Sequence, residues 1–202
     1  MMTSRQSSYL DPLRKAIEQD NPAKISSLLA LGADPDEEFL THRATPLMVA
    51  AELGRAEALA LMLPYATPNK TDADGNTALM VAARFGEPEA ALALIGCTNP
   101  NAINDKGLNA FWIAFSKIPN GSVPFAKTAL ICANLESVLV PGPKGESVED
   151  ALERIGQAKL GLVCHRQLEC IKALALSARE SQILKSQIHD AQAAVPNARP
   201  RI

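Results

Sequence analysis

Apolar positions along the first half of the chain recur three and four residues apart in short runs, the spacing of helices with one buried face. The runs come in pairs, divided by clusters of Pro, Asn, Asp and Gly. First helices are expected at 46–53 and 78–85, each led by a threonine, Thr45 or Thr77, as N-cap. Pro46 and Ala78 then take the first helical position, where a missing N–H is harmless. Gly54 and Gly86 close these helices in a left-handed turn. Second helices follow at 56–63 and 88–95, and 22–31 is the counterpart in the leading unit. Connections at 32–36, 66–69 and 98–101 carry the residues that build tight turns.

The pairs repeat. Thr45-Pro46-Leu47-Met48-Val49-Ala50-Ala51 returns one period later as Thr77-Ala78-Leu79-Met80-Val81-Ala82-Ala83. A weaker copy, Asn109-Ala110-Phe111-Trp112-Ile113-Ala114, follows at the same interval, since Thr77 lies midway between Thr45 and Asn109. Upstream, Asp11-Pro12-Leu13 fits the frame with Asp11 in the place of Thr45. Downstream, Gly145-Glu146-Ser147 restarts it after a longer interval, with Ser147 in the place of Asn109. A fixed period of this kind denotes units that bury their apolar faces only against neighbours.

These residues resemble the ankyrin repeat family: Thr45-Pro46-Leu47, Ala50-Ala51, the helix-ending Gly54 and the turn Gly32-Ala33-Asp34 all match its pattern. The resemblance covers residues 11–156 and implies an all-α solenoid of helix pairs, with four units and a degenerate fifth. Met48, Met80 and Trp112 stand where the family usually has a histidine that ties neighbouring loops, so apolar packing is expected in its place. The resemblance also implies a concave face, lined by loop tips and the inner side of each first helix, that binds a partner protein. Register carries those slots onto Phe39, His42, Leu53, Asp74, Arg84, Phe85, Lys106 and Leu108, with Thr41, Ala44 and Asn76 in the same frame. Leu53, Phe85 and Leu108 are apolar where the frame expects exposure, and a charged rim around an apolar centre is the anatomy of an interface.

The later units are less regular. Two prolines and a glycine at 118–124 lengthen the loop of unit four, and a helix resumes at 125–135. Leu160, Cys164, Leu168, Ile171, Ala175 and Ala178 step by three and four, so a long helix at 157–192 is expected to cap the stack. Polar Arg14, Lys15, Glu18 and Gln19 close the front. Residues 1–10 and 193–202 are read as disordered ends.

Composition narrows the chemistry. Hydrophobic residues make up 47% but aromatics 4%, so the core must rest on Ala, Leu, Val and Ile in closely packed helices. A net charge of −2 without a basic block excludes the footprint of a nucleic-acid binder. No apolar run reaches the length of about 18 residues needed to span a membrane. The start of the chain lacks a secretory core. The four cysteines have no metal-ligand spacing and read as reduced thiols of a cytosol-like compartment. Cys164 and His165 are adjacent, but neighbours on a helix point about 100° apart and do not face each other. Asp72-Ala73-Asp74-Gly75-Asn76 looks like the start of a calcium loop, yet its terminal ligand position falls on Ala83. No catalytic residue, metal or cofactor is therefore expected. The expected role is a non-enzymatic interaction module, of the adaptor or effector kind, acting as a monomer. The alternative is a regulatory or inhibitor subunit working through its C-terminal helix, which could also join two copies.

Overall fold

A computed structural model describes residues 7–39, 42–118, 123–134, 138–142, 145–156 and 162–193. The expected ends at 1–6 and 194–202, Thr41, Leu160 and the insertion at 119–122 lie outside these, as do the side chains of Cys164, His165, Leu168 and His189. The described chain is all-α. Its helices are α1 (Ser7–Glu18), α2 (Pro22–Ala30), α3 (Pro46–Glu52), α4 (Ala56–Met62), α5 (Ala78–Phe85) and α6 (Pro88–Ile95). They continue with α7 (Ala110–Phe115), α8 (Val123–Cys132), α9 (Val148–Gly156) and α10 (Leu162–Ala193).

The helices form two layers. In one row α1, α3, α5 and α7 pack side by side; in the other, α2, α4, α6 and α8 do the same. Ala50, Ala51, Ala82 and Ala83 are wholly buried along the first row. Without bulk at the seam, backbones approach closely, which is how a core poor in aromatics stays filled. Phe111, Trp112 and Phe115 form a local aromatic cluster in α7, with centroids 5.2 to 5.5 Å apart.

Each first helix of units two to four is capped by the residue the repeat frame specifies. Thr45 accepts from the Met48 N–H at 3.3 Å, Thr77 from Met80 at 3.4 Å and Asn109 from Trp112 at 3.0 Å. In unit five Ser147 and Asp150 cap reciprocally: the Asp150 N–H donates to Ser147 Oγ and the Ser147 N–H to Asp150 Oδ2. Hydrogen bonds from Ser147 hold the Asp150 carboxyl below its ordinary range.

Before each of three caps the chain makes a hairpin turn, closed by Asp72 N to Asn76 O, Asn104 N to Leu108 O and Gly142 N to Glu146 O. The glycine inside each turn, Gly75, Gly107 or Gly145, has positive φ. In unit two the same place is held by Arg43 at φ 53°, after His42 at φ 67°. There the turn is one residue longer and closes from Phe39 N to Ala44 O.

Both ends of the stack differ from expectation. The first helix begins at Ser7 instead of Asp11, because half-buried Tyr9 extends the apolar stripe of Leu13, Ala16 and Ile17 by a turn. The C-terminal helix does more than cover an edge: α10 packs on α8 and α9, the two neighbours that a second helix of unit five would have. Among the α10 residues whose side chains are described, Ile171, Ala175 and Ala178 are buried, at the steps of three and four that the sequence pattern marks.

Candidate functional site

Adjacent hairpins are joined at their tips. Ala73 N–H donates to the His42 carbonyl at 2.9 Å, and one unit further on Asp105 N–H donates to the Asp74 carbonyl at 3.1 Å. Beneath the second tie, the Asn104 side chain donates to Asn76 Oδ1 at 2.9 Å, with both residues buried. These bonds do the joining expected of a histidine; Met48, Met80 and Trp112 are buried in the core instead. The asparagine pair went unseen in the sequence because Asn76 and Asn104 hold different slots of the repeat.

Asp72 and Asn104, which do share a slot, act alike. Asp72 Oδ1 accepts from the N–H groups of Asp74 and Asn76 at 2.9 and 2.8 Å; Asn104 Oδ1 accepts from Lys106 and Leu108, both at 3.0 Å. Such side-chain bonds to the following N–H groups are what fix these turns. Among the described residues no group of three or more His, Cys, Asp or Glu is arranged to hold a metal. None of their helices is long and apolar enough to cross a membrane.

Between the tips and the first-helix row lies a cavity of about 360 Å³, spanning units one to three. Five of the residues expected on the concave face line it: Phe39, His42, Asp74, Arg84 and Phe85. Its floor is apolar, with Met48, Val49 and Val81, and its rim adds Arg14 and Glu52. Phe85 is 46% exposed. Phe39 is half-buried, with the Arg14 guanidinium 5.3 Å from its ring centroid.

The loop carrying Phe39 is held from behind. Glu38 accepts from Arg43 at 3.0 and 3.3 Å and pairs with Lys70 at 3.1 Å. The Arg43 and Lys70 bonds bring its carboxyl down to about 2. Lys70 also donates to the Asp36 carbonyl, and Thr67 N–H donates to Asp36 Oδ2, both at 2.7 Å. The segment leading into unit three thereby fixes the loop of unit two.

The other three expected residues lie apart from the cavity lining. Leu53 is 38% exposed at the end of α3, and Lys106 is exposed at the tip of unit four. Leu108 is not the exposed apolar residue the frame suggested; it is half-buried against the core. The reason is its place just before the N-cap, where a side chain folds back onto the helix. Asn76, in the same slot, is fully buried. Arg14 was read only as a front cap, although on the first helix of unit one it holds the slot that Met48 holds in unit two.

Residues 13–105 match the family model of ankyrin repeats, in three copies. No curated protein matches the chain.

Proposed function

Because the chain is an ankyrin-repeat protein across residues 13–105, we propose that it captures a partner protein on its concave face, centred on the Phe39–Phe85 cavity. Ankyrin repeats are in general protein–protein interaction modules, and the reading is non-catalytic. The observation that carries it is Phe85 itself, 46% exposed on the cavity wall, whereas the aromatics of the next first helix, Phe111, Trp112 and Phe115, are all buried. An exposed aromatic beside an arginine is the usual make-up of an interface anchor. An adaptor role is the form this reading favours.

A second reading has its own support. Leu176, Ile183 and Leu184 are exposed on α10 at 47, 52 and 58%, so that helix also offers apolar surface to a partner or to a second copy. Affinity capture with the full chain separates the two. A partner retained by wild type and by Ile183→Asp, and lost with Phe85→Asp, supports the concave face. The reverse pattern, in variants with unchanged melting, moves the working surface to α10.

A further inference from the structure

Arginines described in the first three units are paired, with one exception. Arg14 meets Glu18 at 2.9 Å, Arg43 meets Glu38 at 3.0 Å and Arg55 meets Asp20 at 3.2 Å. Arg84, half-buried on the cavity wall, has no carboxylate within 4.0 Å among the described residues. A guanidinium is a charged planar fork of donors, so one that lines an open cavity with no carboxylate of its own among the described residues is placed to take an anion there. The acids around the same cavity are differently placed. Asp72 is occupied by the N–H groups of its own turn, and Glu52 and Asp74 are exposed to water.

The cavity's size and walls define the rest of the ligand. An apolar cavity of about 150 Å³ holds a benzene ring. This one, at about 360 Å³, has room for a large side chain and the backbone beside it. Val49, Val81, Phe39 and Phe85 in its lining offer apolar and aromatic contact.

Resting on the concave-face reading, we propose that the site recognises an extended peptide segment with a bulky apolar residue, Phe, Trp or Leu, next to an acidic one. The apolar side chain enters between Phe39 and Phe85, and the neighbouring carboxylate pairs with Arg84. The match selects by charge as well as by size, so a segment with a basic neighbour is rejected at Arg84.

Panning a phage-displayed library of random linear peptides against the full chain tests this directly. Wild type should enrich Phe, Trp or Leu flanked by Asp or Glu, and synthetic peptides from that pool should lose at least tenfold in affinity when the acid becomes Lys. Arg84→Glu should enrich Lys or Arg at the flank, and Arg84→Gln should remove the charge preference without reversing it. Melting curves verify that both variants fold. Enrichment of basic flanks by wild type, or an unchanged acidic preference in Arg84→Gln, overturns the assignment. If wild type enriches no linear peptide, the segment proposal fails and the concave face remains open to a folded partner. If the selected peptides bind Phe85→Ala as well as wild type, the concave-face reading falls too.

Discussion

The indole N–H of Trp112 donates to the Val140 carbonyl, joining α7 to the hairpin of unit five. Gly142 rests against the same ring: a Cβ there would lie 2.6 Å from two of its carbons. The indole is buried and packed against Phe111 and Phe115. Gly142→Ala should therefore cost about 1–3 kcal/mol, read as a lower urea midpoint with altered tryptophan fluorescence. An unchanged midpoint would mean that the hairpin moves away from Trp112 at no cost.

Ala82 tests the repeat register. It is fully buried in α5, which packs against both α3 and α7. Ala82→Leu should overpack that seam and lower stability by about 1–3 kcal/mol. A melting temperature equal to wild type would refute the close approach of these helices.

Phe85→Ala separates binding from folding. The ring is 46% exposed, so melting should change little, while partner affinity should fall by about 2 kcal/mol or more, roughly thirtyfold. Lys106→Ala, at an exposed tip, should mainly alter association rate and salt sensitivity. A large loss of stability with affinity intact would make Phe85 a core residue.

Glu38 should titrate abnormally. Its hydrogen bonds from Arg43 and Lys70 hold its carboxyl at about 2 in the folded chain, against an ordinary value of 4.5. A folded value below the unfolded one means the group supports folding at neutral pH. That support declines as pH falls from about 4.5 towards 2. NMR titration of the side-chain carboxyl should find the low midpoint, and Lys70→Ala should raise it. A midpoint unmoved by that change would remove Lys70 from the account.

Cysteine labelling should discriminate by burial. Cys132 is fully buried and its thiol is pushed up to about 12, whereas Cys97 and Cys170 are exposed. Iodoacetamide at neutral pH should modify Cys97 and Cys170 in the native protein and reach Cys132 only on unfolding. Peptide mapping showing early modification of Cys132 would contradict the packing of α8.

The repeat was readable from the sequence because its signals are local. Thr45 and Thr77 cap their helices at the N–H groups of Met48 and Met80, and period and cap select the same register. Five of the eight expected face residues meet at one cavity for the same reason, since slots repeating along a stack fall on one side of it. What escaped was set by partners distant in sequence. The Asn104–Asn76 bond joins different slots; Leu108 is the exception, since its place just before the Asn109 cap is a local signal. Arg14 on the first helix reaches Phe39 in the loop of the following unit. That Arg84 meets no carboxylate among the described residues likewise depends on where carboxylates distant in sequence end up.

The two rows pack each helix mainly within its own unit or against the adjacent one. In such a linear array cooperativity is handed from neighbour to neighbour, and a local opening need not travel the whole length. A molecule seated between Phe39 and Phe85 touches units one to three, so it acts as a clamp across two unit boundaries. Amide hydrogens of α3 and α5 should then exchange more slowly, while those of α9 keep their free-state rates. Occupancy would be recorded as a protection front that ends partway along the molecule.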